Sequence, residues 1–340
     1  MGLCQSNKKG KIRNGNTEVD LKEPIGDFEP VEDINKVRWC LEYIGEDFEL
    51  EIPNYTLKGQ KFKPKGEVKF IYIFVHGLGY SLIHKNDLYP FITNLGGIVY
   101  ACDHVGHGRS PGIRVTCRIS EIRTEIENEI LLAKHEYPGV PLILHGHSMG
   151  GLSSLSFVIR NKDNILYKIQ NLILEAPWIS DPPQMKVGCC GKTLVGCFNC
   201  TCPRFHIKMS KPEFQTEFKN GSDEPKWVKL SYTTPYFESS ATGRLVNSAL
   251  NEIKRIHRNY KNYNAKLPLL FLHGKYDNMV SFRKNKSFFD KLKSAYPDAD
   301  LNFHAFELGT HCLLKCKERK NTLDVIINFI KTHVPTIQNE

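Results

Sequence analysis

The sequence predicts an α/β protein with a mostly parallel sheet flanked by helices. Short apolar runs, typical of buried strands, alternate with helical segments, and this alternation implies crossover connections between parallel strands. Residues 321–334 carry apolar side chains at the 3-to-4 spacing of an amphipathic helix. The predicted strands are residues 69–75, 98–102, 141–144, 171–174, 267–272 and 301–306.

The length of 340 residues suits one large α/β domain with an insertion, or two smaller domains. Residues 1–35 are polar and are predicted to form a flexible tether. The alternation breaks down in residues 181–260, where cysteine, proline, lysine and aromatic residues become frequent. We therefore expect a core of residues 36–180 and 261–340, with residues 181–260 inserted as a cap, or lid.

The composition is that of a globular protein, with 41% hydrophobic and 24% charged residues. No run reaches the roughly 18 to 20 apolar residues of a membrane span, and no apolar signal core begins the chain. These features predict a cytosolic protein whose eleven cysteines are mostly reduced. The net charge of +9 is scattered without a basic, aromatic stripe, which argues against nucleic acid as a partner.

The N-terminus matches the M-G-x-x-x-[ST] pattern of N-myristoylation at Gly2. One myristoyl chain anchors a protein only weakly, so a second signal is needed. Cys4 is placed to accept a second acyl chain such as palmitate, and basic residues follow closely. We expect peripheral anchoring at the cytosolic face of a membrane, most simply the plasma membrane, although a soluble leader can match this loose pattern by chance. The basic residues are Lys8, Lys9, Lys11 and Arg13.

The chemistry is predicted by a G-x-S-x-G motif centred on Ser148. The motif follows a predicted strand and opens a helical segment, which is the strand–turn–helix context of a nucleophile elbow. Glycines flank the serine because the sharp turn leaves no room for side chains. The sequence therefore predicts the α/β-hydrolase fold, with Ser148 as nucleophile.

A serine hydroxyl needs a base beside it and an acid that orients the base. In this fold the chain order is Ser, then Asp or Glu, then His. Asp277 follows the predicted strand 267–272, and His311 follows strand 301–306, so both complete the order. Glu175 ends strand 171–174 and is the alternative acid.

The oxyanion hole requires two backbone amides. One is expected from Met149, directly after the nucleophile, and the other from Leu78 in the loop after strand 69–75. His76 is expected to brace that loop, and His147 to point away from the reaction. Three residues of a further glycine loop are expected to fix it by hydrogen bonds: Asp103, His104 and His107.

Over residues 65–335 the chain resembles the monoacylglycerol lipase and lysophospholipase family of serine α/β-hydrolases. That resemblance implies the same roles for Ser148, Asp277 and His311, and for the amides of Leu78 and Met149. The chain departs from the family at residues 80–84, which read YSLIH, and in its cap cysteines. The matching runs are VHGLG (75–79), CDHVGHGRSPG (102–112), EYPGVPLILHGHSMGG (136–151), FLHGKYDNMV (271–280) and GTH (309–311).

The predicted cap carries a cysteine cluster that allows three interpretations: a zinc knuckle, S-acylation, or small buried thiols. Its aromatic residues can form a local core or line an acyl-chain tunnel. The cysteines are Cys189, Cys190, Cys197, Cys200 and Cys202. The aromatics are Trp178, Phe198, Phe205, Phe214, Phe218, Trp227, Tyr232, Tyr236 and Phe237.

These features predict a serine hydrolase that cleaves single-chain lipid esters, monoacylglycerol or lysophospholipid, at a membrane surface through an acyl-enzyme. No cofactor and no catalytic metal are expected. The alternatives are an acyl-protein thioesterase, an acyltransferase, a peptidase, and a non-catalytic binding protein on the same fold.

Overall fold

The computed structural model describes residues 41–163, 166–180, 204–208 and 234–337. The predicted tether, including Gly2 and Cys4, lies outside the described residues. Most of the predicted cap, including its cysteine cluster, also lies outside them. The domain boundaries around residues 35 and 180 therefore remain predictions.

One mixed sheet forms the centre of the molecule, with the strand order β1-β2-β4-β3-β5-β6-β9-β10. β2 pairs antiparallel with β1 and β4, and the pairs from β4 to β10 are parallel. The strands are β1 (Glu46–Ile52), β2 (Tyr55–Phe62), β3 (Phe70–Val75), β4 (Gly97–Cys102), β5 (Leu142–His147), β6 (Ile169–Glu175), β9 (Leu269–Gly274) and β10 (Leu301–Phe306). A separate antiparallel pair consists of β7 (His206–Lys208) and β8 (Ser240–Thr242).

Every predicted strand overlaps an observed strand, with ends that shift by at most 3 residues. The mostly parallel sheet and the helices that cover it confirm the predicted α/β class. The hairpin of β1 and β2 was not among the predicted strands. Its outward face carries charged residues such as Glu49 and Lys58, so neither strand forms a continuous apolar run.

Helices cover both faces of the sheet. Alternate residues of β3 enter two hydrophobic clusters, as the period of two in a strand requires. Ile71 and Ile73 pack with side chains of α2 to α5, whereas Phe70 and Phe74 pack with side chains of α1 and α6. The helices are α1 (Tyr89–Asn94), α2 (Ile119–Glu136), α3 (Met149–Arg160), α4 (Gly243–Asn259), α5 (Phe282–Ala295) and α6 (Arg319–His333).

α4 lies inside the range predicted as cap, yet it packs on the core helices. The Ser248 hydroxyl accepts a hydrogen bond of 2.9 Å from the Ile119 amide of α2. The Ser156 hydroxyl of α3 donates one of 2.6 Å to Glu252 of α4. Buried apolar residues at helical spacing hold this contact, so residues 243–259 belong to the layer that covers the sheet. Those residues are Leu245, Val246, Ala249, Ile253 and Ile256.

Candidate active site

Ser148 occupies a strained turn between the last residue of β5 and the first of α3. Its backbone dihedrals are φ 53° and ψ −113°, a combination that L-residues rarely adopt. The turn is held by hydrogen bonds at both backbone groups: the Ser148 amide donates to the Glu175 carbonyl (3.0 Å), and its carbonyl accepts from the Trp178 amide (2.8 Å). This is the geometry of the predicted nucleophile elbow.

The glycines of the motif are required by close backbone approach. A Cβ on Gly146 would lie 2.5 Å from the carbonyl oxygen of Gly150. A Cβ on Gly150 would lie 2.1 Å from the carbonyl oxygen of Val75, on the neighbouring strand. Both positions therefore exclude a side chain, which explains the glycine spacing around Ser148.

The loops after β9 and β10 are hydrogen-bonded to each other. The first carries Asp277 and the second carries His311, the two residues predicted to act with Ser148. The Tyr276 amide donates to the Gly309 carbonyl (2.9 Å). Within this pair of loops the His311 Nδ1–H donates to Oδ2 of Asp277 across 2.9 Å. The other imidazole nitrogen, Nε2, is thereby left as the basic one in the neutral ring.

The Asp277 carboxylate is stabilised in its charged form. Its Oδ1 accepts hydrogen bonds from the amides of Met279 and Val280, each 2.8 Å long. Burial alone would raise the pKa of Asp277, but the imidazoles of His311 and His273 and the Val280 amide together outweigh burial, and the pKa is lowered. Asp277 is therefore ionised at neutral pH and orients the imidazole.

His147 connects the elbow to the His311 loop. Its Nε2–H donates to the carbonyl oxygen of His311 (3.2 Å), and the two ring centroids are 5.0 Å apart. Burial lowers the pKa of His147 to about 3, so the ring is neutral at physiological pH. The loop that carries His311 is thus fastened beside Ser148 by a residue that does not itself exchange protons there.

The loop after β3 lies against Ser148. A Cβ on Gly77 would lie 3.2 Å from the Cβ of Ser148. The loop turns at Gly79, whose φ is 72°, and Tyr80 N donates to Gly77 O across 3.3 Å. Within the part of the chain that the structure describes, the amides of Leu78 and Met149 donate to no acceptor.

Histidines behind this loop hold its conformation. The Nδ1–H of His76 donates to the Gly77 carbonyl (2.8 Å), and its Nε2 accepts from the His104 amide (3.1 Å). Asp103 accepts hydrogen bonds from the amides of Leu82 and Arg109, each 2.8 Å long. These bonds confirm the expected bracing role of His76 and the role of Asp103 in its glycine loop, where His107 Nδ1 also bonds the Val105 carbonyl (3.1 Å). The ring of His104 bonds instead to Glu125 (2.7 Å) and to the His76 carbonyl (2.9 Å).

Glu175, the alternative acid, is paired elsewhere. Its carboxylate oxygens lie 2.7 and 2.6 Å from Nζ of Lys85, and both side chains are buried. Burial alone would raise the pKa of Glu175, but the Lys85 ammonium, together with His147 and His145, holds it well below its usual range. Lys85 was not among the predicted site residues, because a lone lysine seven residues after Leu78 belongs to no recognisable motif.

No helix in the described ranges is long and apolar enough to cross a bilayer.

Residues 66–318 match the family model described as serine aminopeptidase, S33. Together with the elbow and the fold, this match places the chain among the α/β-hydrolases. More particularly, it belongs to the S33 serine aminopeptidase family. The predicted resemblance to monoacylglycerol lipases is confirmed by the relatives that match the chain.

The chain is 34% identical to the monoglyceride lipase of Mus musculus over 95 residues, which are 28% of this chain and 31% of that protein. The aligned segment thus spans about a third of that relative. A caffeoylshikimate esterase of Arabidopsis thaliana is 25% identical over 281 residues, 80% of both chains.

Two solved structures share the fold. The monoacylglycerol lipase of Paleococcus ferrophilus superposes with a TM-score of 0.67 at 22% identity, over 82% of this chain and 99% of that chain. A soluble variant of the Saccharomyces cerevisiae monoglyceride lipase, in complex with a substrate analogue, superposes with a TM-score of 0.71 at 16% identity, over 87% and 97%.

Proposed function

We propose that the protein is a serine hydrolase of single-chain carboxylic esters, with Ser148, Asp277 and His311 as its catalytic residues. The observation that carries the proposal is the Asp277–His311 hydrogen bond in a loop fastened to the strained Ser148 elbow. The amides of Leu78 and Met149, both without an acceptor in the described ranges, supply the oxyanion hole.

The reaction follows from these positions. Nε2 of His311 takes the Ser148 proton as Oγ attacks the ester carbonyl, and the negative charge of the tetrahedral intermediate moves to the carbonyl oxygen. The amides of Leu78 and Met149 donate to that oxyanion. The imidazolium then protonates the leaving alcohol, which departs and leaves an acyl-Ser148 ester. Water, deprotonated by His311, attacks this ester. The imidazolium then returns the proton to Ser148 Oγ as the acyl–oxygen bond breaks and the fatty acid leaves.

A monoacylglycerol or a lysophospholipid is the proposed substrate. The names of the relatives support it, since monoglyceride lipases of several species match this chain. The family description supports a second candidate, an exopeptidase that removes an N-terminal residue. An acyl-protein thioesterase and an acyltransferase use the same residues and differ only in the leaving group or acceptor.

A fluorophosphonate probe tests the chemistry. It should label the wild-type protein and fail to label Ser148→Ala, whereas Ser153→Ala, a substitution on the same helix, should be labelled normally. Absence of labelling in the folded wild type would favour a non-catalytic binding protein.

Substrate profiling then separates the candidates. We expect turnover of monoacylglycerol or lysophosphatidylcholine to exceed that of an aminoacyl-7-amido-coumarin and of an S-palmitoyl peptide. Preferred turnover of the aminoacyl amide would assign the chain as a peptidase and overturn the lipid ester proposal.

The proposed site of action is the cytosolic face of a membrane, through acylated Gly2 and Cys4 and the basic residues after them. Gly2→Ala should move the protein from the membrane to the soluble fraction of the producing cells. Ser6→Ala, which tests the final position of the motif, should weaken acylation less. Retention of Gly2→Ala on the membrane would contradict the proposal.

A further inference from the structure

A groove of about 490 Å³ lies where the N-terminus of α2, the end of α3 and one side of α4 meet. Its volume falls within the roughly 300–1,000 Å³ of small-molecule sites. α3 follows Ser148 directly and ends at Arg160, so Arg160 lies about 18 Å from Ser148 along the helix axis, at 1.5 Å per helical residue. The charged side chains that line it are Arg118, Arg123, Arg160, Arg244, Arg255 and Glu252.

Glu252, the one carboxylate among the described lining residues, is already shared by two of the arginines. Glu252 pairs with Arg123 at 3.2 Å and with Arg160 at 3.1 Å. Glu252 Oε1 also accepts a hydrogen bond from the Ser156 hydroxyl, with 2.6 Å between the two oxygens. These bonds hold the two guanidinium groups in place and leave little capacity on Glu252 for further cations.

In the described part of the chain, the other three arginines have no anionic partner. Across residues 41–163, 166–180, 204–208 and 234–337, the guanidinium groups of Arg118, Arg244 and Arg255 form no ion pair with an acidic side chain. The nearby Glu121 carboxylate accepts from the Arg118 backbone amide (2.6 Å) and not from its guanidinium. Among the described residues that line the groove, five positive charges therefore face one negative charge.

The excess of positive charge in the groove acts on the pKa of Arg123. Burial lowers the pKa of Arg123, and the positive charges of Arg160 and Arg255 lower it further, against the opposing effect of Glu252. An added anion would relieve this repulsion.

We propose that the groove binds a polyanionic phosphate ester, a molecule with two or more phosphate groups. Guanidinium groups suit this ligand because their planar donor sets pair with phosphate oxygens through two parallel hydrogen bonds. An acyl chain does not suit the groove, because its lining is formed by charged and polar side chains. The phosphate ester can be a soluble metabolite or the headgroup of an anionic phospholipid, and both present the same chemistry to the arginines.

The test uses full-length, non-acylated protein and two probes. Soluble inositol trisphosphate is titrated calorimetrically. Binding is also measured by sedimentation with phosphatidylcholine vesicles that contain either phosphatidylinositol bisphosphate or phosphatidylserine at matched charge. The test variant is Arg118→Gln/Arg244→Gln/Arg255→Gln, which spares the Glu252 pairs. The control, Lys254→Gln/Arg258→Gln/Lys261→Gln, removes the same charge from α4 and the turn after it, outside the groove lining.

We expect the triple arginine variant to bind at least one probe roughly tenfold or more weakly than wild type, because three charge-assisted contacts are lost. The control should bind like wild type, because its substitutions lie outside the groove lining. Both variants keep the same basic N-terminus, so that segment cannot account for a difference between them. Groove-dependent binding of the soluble probe assigns the site to a free phosphate ester. Groove-dependent binding only to bisphosphate vesicles assigns it to a lipid headgroup.

The proposal is overturned if wild type binds neither probe, or if the arginine variant and the control weaken binding equally. The melting temperature and the turnover of a short-chain ester should match wild type in both variants, which verifies folding. If the triple variant melts early, Arg255→Gln alone, at an exposed position of α4, repeats the comparison against Lys254→Gln.

Discussion

Nδ1 of His311 donates to Oδ2 of Asp277 across 2.9 Å, although the two residues are 34 positions apart in the chain. This bond selects the tautomer in which Nε2 can accept the Ser148 proton. Asp277→Asn is therefore expected to lower kcat by about 10⁴-fold with little change in folding stability, because an amide favours the wrong tautomer. Steady-state kinetics on a soluble ester measure the effect.

The matched control for this prediction is Asp290→Asn on α5, an exposed carboxylate that pairs with Lys286. It should turn over the ester at the wild-type rate. Wild-type kcat in Asp277→Asn would show that another carboxylate orients His311.

Gly150→Ala should impair both folding and catalysis. The new Cβ would lie 2.1 Å from the Val75 carbonyl oxygen, so β3 and the elbow must separate. Overpacking of this kind typically costs about 1–3 kcal/mol of unfolding free energy. A shift of about 1 Å at the nucleophile lowers the rate by about 10²-fold. Urea denaturation and ester turnover measure the two effects.

Gly66→Ala is the control, because a Cβ at that position meets no atom within 4 Å. It should match wild type in both measurements. Equal behaviour of the two alanine variants would argue against the tight approach of the elbow to β3.

Lys85→Met should destabilise the fold strongly. The substitution leaves the Glu175 carboxylate buried without its ammonium partner, a change that typically costs about 3–5 kcal/mol of unfolding free energy. The double variant Lys85→Met/Glu175→Gln removes both charges and should regain part of that stability. Chemical denaturation of the two variants provides the comparison.

The surface pair Lys275–Glu307 offers the contrast, since both side chains are largely exposed. Lys275→Met should change the unfolding free energy by less than about 1 kcal/mol. If Lys85→Met were equally mild, the buried pair would contribute no more to the unfolding free energy than an exposed one.

The protein should lose stability as the pH falls below 6.5, partly through His107. Burial lowers the pKa of His107 to about 3, against 6.5 for the free side chain. Between these values the unfolded chain binds the proton and the folded chain does not, so the stabilisation is complete above pH 6.5 and is lost progressively down to pH 3. This one group should contribute a loss of about 2 kcal/mol between pH 7 and pH 5.

His107→Asn isolates this contribution. Its amide nitrogen can replace the Nδ1–H that donates to the Val105 carbonyl at 3.1 Å, but it does not titrate. The variant should lose about 2 kcal/mol less than wild type over the same pH range in urea denaturation. Parallel pH profiles would mean that His107 is not kept neutral by the fold.

The sequence alone determined the features that are local in the chain. Apolar runs mark five of the six predicted strands, because a strand buried on both faces is apolar throughout, whereas the edge strand β10 alternates apolar residues with Asn302 and His304. The glycine spacing marks the elbow at Ser148, because only glycine permits such close backbone approach. Asp277 and His311 follow from the positions of predicted strand ends, since parallel strands bring those ends to one edge of the sheet.

The tertiary structure decided between residues that look alike in sequence. Glu175 and Asp277 each follow a buried apolar strand, but Glu175 pairs with Lys85, which is 90 positions away, and Asp277 pairs with His311. The assignment of α4 to the core and the assembly of the arginine groove also depend on contacts between distant segments. Such contacts are set by the packing of helices on the sheet and leave no periodic pattern in the sequence, so only the folded chain reveals them.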